Sequence, residues 1–240
     1  MLERVRDTHP DVYVLGEMLH GDYADYVRRS GLDSVTQYEL WKAIWSSVSD
    51  ANFFELDWAL QRHNRLFDTF VPYTFVGNHD VTRIATAIAD PRHHGHATAL
   101  LLTLGGTPAI YYGDEQGLTG RKEDRVGGDD AVRPSFAPVP GELDPRAAQT
   151  RRVHQELIGV RRRHPWLHAA RSETSTLTNE TMVLRLTGAG TVTLALCLAA
   201  DPCLDVLVEK VTRFDRLPEA LPEILGKPGA LFHRVSYELE

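Results

Sequence analysis

Residues 12–17 read VYVLGE, five uncharged residues followed by a carboxylate. Uncharged, mostly apolar positions in succession, without alternation, suit a strand buried on both faces, as in parallel sheets covered by helices. Burial gives no reason for an acid at the end of such a strand. Glu17 therefore directs attention to what lies beyond the strand's C-terminus.

Upstream, LERVRDTH (2–9) places Leu2 and Val5 among charges, predicting the last turns of an amphipathic helix stopped by Pro10. Downstream, DSVTQY (33–38) is a second short strand. Leu40, Trp41, Ile44, Trp45 and Val48 then recur at helical spacing, and Leu56, Leu60, His63 and Phe67 mark the inner face of a further helix. Trp41 and Trp45 read as core residues, not sugar platforms. VPYTFVGNHD (71–80) is a third strand ending in polar groups. HATALLLTLGG (96–106) is a nearly all-apolar helix closed by Gly105 and Gly106, and TPAIYYGDE (107–115) is a fourth strand ending in acids. In parallel α/β folds ligands bind at the C-terminal ends of the strands, so Glu17 belongs to a functional rim.

Residues 120–145 are rich in Gly, Pro and charge, and a connection that long is usually functional or disordered. Asp144 and Pro145 form an N-cap and first helical residue, opening a helix with Val153, Leu157 and Val160 inward that ends before Pro165. After Trp166 the texture changes. TMVLRLTGAGTVTLALCLA (181–199), LDVLVEKV (204–211) and FHRVSYELE (232–240) are β-like runs parted by turns. The expected fold class is α/β, with about four strand–helix units over residues 1–166 and a small antiparallel β domain over 167–240.

Composition excludes several functions. Among 240 residues, 42% are hydrophobic and 25% charged, which supports a packed core; a net charge of -7 disfavours a general nucleic-acid binder. The RRRH cluster (161–164) reads as the solvated end of a helix. Cys197 and Cys203, the two cysteines, sit in strand-like surroundings and are expected as free thiols. No apolar run is long enough to span a bilayer, and MLERVRDTHP lacks the apolar core of a signal peptide, so a cytoplasmic location without membrane contact is expected. HHGH (His93, His94, His96) follows DP in what reads as a surface turn, without acidic or Cys partners at zinc-ligand spacing. GDD (128–130) lacks the alternating spacing of a calcium loop. No cofactor is expected, calcium being the one exception left open.

Three strand ends concentrate the chemistry: Glu17, then Asn78, His79 and Asp80, then Tyr111 to Glu115. Two carboxylates on one cleft can divide acid and base duties, an arrangement that suits glycoside hydrolysis through an oxocarbenium-like transition state. LGE, FVGNHDVTRI and TPAIYYGDEQGLTG, in this order, closely resemble the fifth, seventh and eighth strand regions of the α-amylase family of glycoside hydrolases and transglycosylases, and GLDSVTQYEL resembles its sixth. The similarity is greatest to the cyclomaltodextrinase, neopullulanase and maltogenic amylase types and covers about residues 1–165; the β remainder resembles the family's C-terminal domain.

The resemblance implies the C-terminal half of a TIM (β/α)8 barrel acting on α-glucans or maltooligosaccharides. It implies that Glu17 is the general acid/base, that Asp80 grips sugar hydroxyls and stabilises the transition state, and that His79 bonds the same sugar. Asn78 and Arg83 are implied in orienting roles, Tyr112, Asp114 and Glu115 as part of the eighth-strand signature, and Arg133 as a cleft-lining residue. The family's nucleophile, an aspartate in a segment like GFRxDAA, has no counterpart in this sequence, nor does the third-strand histidine motif. The expectation is a chain inactive alone, completed by a second chain supplying the missing half-barrel or by homo-oligomerisation. The other readings are a carbohydrate-binding remnant, a subunit of a split glycosidase, an α-glucan transferase and a trehalose-forming isomerase.

Overall fold

The computed structural model describes residues 2–136 and 141–199. Its first part alternates helices and short strands: α1 (Leu2–Thr8), β1 (Leu15–Gly16), α2 (Tyr23–Ser30), β2 (Ser34–Val35), α3 (Tyr38–Ser49), α4 (Phe54–Leu66), β3 (Tyr73–Phe75), α5 (Ile84–Ala87), α6 (His94–Thr103) and β4 (Thr107–Ala109). A long helix, α7 (Pro145–Arg163), leads to three strands, β5 (Arg171–Leu177), β6 (Thr181–Thr187) and β7 (Thr191–Cys197). The architecture is α/β with an antiparallel sheet, as expected. Among the described residues no helix is long and apolar enough to cross a membrane.

Local chemistry sets the helix ends. Asp22 accepts from Asp25 N at the start of α2, and Gly31, at φ 73°, closes it in the left-handed conformation that glycine adopts without steric cost. Asp144 accepts from Arg146 N and Ala147 N at the start of α7, with Pro145 as the first helical residue, as its sequence predicts.

The first four strands are parallel. β1 pairs with β2 (Leu15 opposite Ser34) and β3 with β4 (Tyr73 opposite Thr107). A parallel bridge between Thr36 and Tyr73 joins the pairs, with Gln37 N donating to Tyr73 O at 2.9 Å. β5, β6 and β7 form an antiparallel meander.

One apolar cluster runs through both parts. It takes Leu40 and Ile44 from α3, Leu56 and Leu60 from α4, Leu100 and Leu104 from α6 and its end, Leu157 from α7, and Met182, Leu184 and Leu194 from the meander. Burying each such side chain contributes about 1.5–3 kcal/mol, so the meander is held by apolar contact with the helices. Helix α6 is buried on nearly every side because α3, α5 and α7 pack around it.

The C-terminal end of α6 leaves carbonyls in need of donors, which Arg161 and the buried His63 supply, while the buried His96 bonds β7 from the first turn of the helix. Arg161 donates to the carbonyls of Leu102, Leu104 and Gly106. His63 Nε2 lies 2.9 Å from Gly105 O, and His96 Nε2 lies 3.0 Å from Cys197 O.

Several expectations need correction. Arg161 is not part of a solvated helix end; its guanidinium turns inward because unpaired carbonyls await it, while Arg162 and Arg163 stay exposed. HHGH is no surface turn, since His93 and His96 are buried and His94 bonds Ile88 O at the α5–α6 junction. VYVLGE is not buried on both faces: Tyr13 is 53% and Leu15 37% exposed. Among the described residues only β2 flanks β1, and the face carrying Leu15 and Glu17 opens on a hollow. Of the connection read as functional or disordered, residues 120–136 are ordered, with a short turn at Asp130–Val132 and side chains that tie them down. Cys203 and the strands expected over 204–211 and 232–240 lie outside the described residues.

The buried histidines make stability depend on pH. Burial pushes His63 and His96 from the ordinary 6.5 down to about 4. The unfolded chain then takes up protons first as pH falls, so the stability they contribute is complete above about pH 6.5 and lost between there and about pH 4. Urea midpoints should be level above pH 7 and decline through that window. His63→Gln, which can still donate to Gly105 O but does not titrate, should flatten the decline; an unchanged profile would remove His63 from the account. Leu100→Ala should cost about 2–5 kcal/mol in the same experiment.

Candidate active site

The ends of β1, β3 and β4 surround a hollow of about 350 Å³. Its floor is apolar, made by Leu15, Tyr73, Phe75, Ala109 and Ile110. Its rim is polar, made by Glu17, Asn78, His79 and Tyr111. Parallel strands that run the same way deliver their C-terminal residues to one edge, so three distant sequence segments meet there.

A chain of hydrogen bonds crosses this rim. Asp80 N donates to Asn78 Oδ1 at 2.8 Å, Asn78 Nδ2 donates to Tyr38 Oη at 2.7 Å, and Tyr38 Oη donates to Glu17 Oε1 at 2.9 Å. Tyr38, the first residue of α3, is 6% exposed, its ring edge-on to Phe75 and Trp41. Burial, chiefly, pushes its phenol up to about 12, and the nearby charges of Glu17 and Asp80 act in the same direction.

Asp80 stands at the shoulder of the hollow and is not among its lining residues. Its carboxylate bonds Arg133 Nη2 at 3.0 Å and lies 3.5 Å from Lys122 Nζ. Arg133 also donates to His79 O and to Asp129, and Lys122 pairs with Asp129 at 3.1 Å. These groups are roughly one-third to two-fifths exposed, so each pair contributes at most about 1 kcal/mol; their effect is to orient Asp80. The loop that supplies them is anchored by Lys122 N on Thr82, Gly120 N on Thr86 and Tyr111 Oη on Val132 O.

The structure therefore brings Glu17, Asn78 and His79 around one hollow, with Asp80 and Arg133 beside it. Arg83 and Tyr112 do not reach it. Arg83 is fully buried, donating to Tyr112 O at 2.5 Å and Asp114 Oδ1 at 2.9 Å beneath the rings of Tyr111 and Tyr112. The orienting role expected of it toward a sugar is replaced by a structural one, because a buried guanidinium needs acceptors inside the protein. Tyr112, in the turn beyond β4, is not among the lining residues; its hydroxyl bonds Pro134 O, and Tyr111 takes the lining position. Burial pushes the Asp114 carboxyl up to about 6 while Arg83 pulls the other way. A side chain at Gly77 would collide with Asp114 Oδ2, so glycine is required beside the pair.

Tyr38, Lys122 and Asp129 escaped the sequence reading. Tyr38 follows DSVTQ, itself a strand end, so the rule that singled out Glu17 and Asp80 applied to it as well. Lys122 carried no local signal, and Asp129 stood in the GDD weighed for calcium without any sign that it serves Asp80. Among the described residues no group of three or more His, Cys, Asp or Glu is placed to hold a metal ion.

Breaking the buried ion pair from one side leaves a charge without a partner. Arg83→Leu should destabilise by about 3–5 kcal/mol, whereas Lys122→Ala should cost under about 1 kcal/mol in denaturant titrations. Equal effects would contradict the burial contrast.

Comparison with known proteins identifies a family. Residues 1–182 match the family model described as alpha amylase, catalytic domain. A maltogenic alpha-amylase of Bacillus acidopullulyticus is 36% identical over 126 residues, 50% of this chain and 21% of that protein. A cyclomaltodextrin glucanotransferase of Niallia circulans is 33% identical over 124 residues, 47% of this chain and 17% of that protein. The crystal structure of an alpha-amylase from H.orenii superposes with a TM-score of 0.69 at 20% identity, covering 82% of this chain and 45% of that one. The chain thus spans about a fifth of the length of these curated relatives. With the match over residues 1–182 added to the strand-end motifs, the chain belongs to the α-amylase family.

Proposed function

We propose that this chain supplies the acid/base side of an active site that cleaves or transfers α-glucosidic bonds in α-glucans and maltooligosaccharides. The observation that carries this reading is Glu17, set on the hollow beside Asn78 and His79 and held by Tyr38. In the first step, a nucleophilic carboxylate attacks the anomeric carbon, the glycosidic C–O bond breaks, and Glu17 gives its proton to the departing oxygen. In the second, Glu17 as carboxylate takes a proton from water or a sugar hydroxyl, whose oxygen displaces the nucleophile. Asp80 and His79 bond the sugar hydroxyls, and Asp80 stabilises the positive charge that develops on the ring. Acid–base chemistry by carboxylates needs no metal or cofactor here. The names of the relatives, a maltogenic amylase and a glucanotransferase, support the substrate class and leave water or a sugar as the second-step acceptor.

The nucleophile comes from outside these 240 residues, since no segment like GFRxDAA occurs in them. We read the four parallel strands as half of an eight-stranded barrel, with the antiparallel unit following from about residue 167. Support comes from the paired strands: among the described residues β1 bonds only β2 and β4 only β3, and Tyr13, Leu15 and Ile110 are exposed beside them. Open parallel edges and an uncovered apolar floor favour completion by further strand–helix units, on another polypeptide segment or a second copy.

The isolated 240-residue chain should release no product from maltoheptaose, with Glu17→Gln changing nothing. Mixed with the first four strand–helix units of an α-amylase relative, it should gain turnover that Glu17→Gln lowers by about 10²–10⁴-fold. Turnover by the chain alone that Glu17→Gln abolishes would overturn the missing nucleophile. Complemented turnover indifferent to Glu17→Gln would overturn the acid/base role.

A further inference from the structure

We propose that Tyr38 is a positioning residue that commits one oxygen of the Glu17 carboxyl, Oε1, to a structural hydrogen bond and leaves Oε2 as the oxygen that exchanges the proton. This deepens the reading of Glu17 as acid/base and rests on it for its functional meaning. The hydrogen-bond chain itself is independent of that reading.

The direction of the chain is dictated at its far end. Asp80 N can only donate, so the Asn78 oxygen faces it and the Asn78 NH2 group faces Tyr38. The Tyr38 oxygen is thereby occupied as an acceptor, and its single hydrogen goes to Glu17 Oε1. Reversal is blocked. A proton on Oε1 donated toward Tyr38 would leave the phenol hydrogen facing the hydrogens of Asn78. A proton held by Glu17 therefore resides on Oε2.

The phenol is well suited to hold this arrangement. Its ring is wedged edge-on against Phe75 at 4.9 Å and Trp41 at 5.8 Å, which fixes the hydroxyl in place. Burial keeps it protonated across the working range of a glycosidase, so it remains a donor. The backbone beside Glu17 is fixed separately, through a two-way bond in which Met18 N donates to Thr36 Oγ1 and Thr36 Oγ1 donates to Met18 O. Side chain and backbone of the acid are thus both referred to the end of β2. Each bond in such a chain polarises the next, so a change at Asn78 should be felt at Glu17.

The test is carboxyl and amide NMR on the full 240-residue chain, labelled with ¹³C at glutamate carboxyls and ¹⁵N at asparagine side chains. The Glu17 signal is assigned by its loss in Glu17→Gln. Tyr38→Phe should displace the Glu17 carboxyl resonance and move the Asn78 NH2 protons upfield. Asn78→Ala should move the Glu17 resonance in the same direction by a smaller amount. Incorporating 3,5-difluorotyrosine at position 38, a stronger donor of nearly the same shape, should move it the opposite way. That reversal is one a merely space-filling tyrosine would not produce, and it is readable even if Tyr38→Phe does not fold. A Glu17 resonance unmoved by the fluorinated residue, or by Asn78→Ala, overturns the proposal and leaves the glycosidase reading intact.

Discussion

Four parallel strands of two or three residues each supply too few ladder hydrogen bonds to fix their own ends, so side chains must do it. At β1 and β2 the work falls to Thr36 and Tyr38, which hold Met18 and Glu17. At β3 and β4 it falls to Arg83, whose guanidinium binds Tyr112 O and Asp114 while Asp114 fills the space that Gly77 leaves free. Removing these bonds would leave the backbone topology in place and the rim undefined. Sites that act on bound ligands need such tolerances held to a fraction of an ångström, and side-chain bonds from neighbouring elements are how short strands reach them.

Charge at the rim is arranged in two tiers. Deep in the protein, Arg83 and Asp114 neutralise each other, and the rings of Tyr111 and Tyr112 lie against the cation. Nearer solvent, Arg133 and Lys122 answer Asp80 and Asp129. Most of the charge at this edge is therefore paired, and the outer pairs orient Asp80. The loop that delivers the outer cations is an ordered element over its described part, anchored at both ends on the strands and helix it covers.

The two sides of the parallel strands are packed unequally. A soluble fold normally covers the apolar face of a sheet, yet Tyr13, Leu15 and Ile110 are all more than a third exposed around an apolar hollow. The helix-covered face, by contrast, is fully packed, and its core continues without interruption into the antiparallel meander. Stability of this chain therefore rests on the outer, helical side, where Leu100 and its neighbours lie, and the hollow side contributes hydrogen bonds more than buried area.

Sequence by itself determined the succession β1, β2, α3, α4, β3, α6, β4 and α7 through its apolar periodicity, but it missed α2, α5 and β5 and drew the parallel strands longer than they are. It determined the α7 cap, because Asp144–Pro145 acts through its own backbone. It determined that Glu17, Asn78, His79 and Asp80 share one edge, because parallel strands send every C-terminal residue the same way. Only tertiary structure decided which of them face the hollow. Arg83 and Tyr112 sit in the same motifs as lining residues, and their direction depends on what is buried behind them. Arg161 is the same case: one arginine in a run of three turns inward for carbonyls that belong to another helix. Tyr38, Lys122 and Asp129 enter the site from segments far from the motifs they serve. Local sequence encodes backbone preference and hydrophobic period, whereas the partner of a polar side chain is set by distance in space, which one chain read in order does not contain.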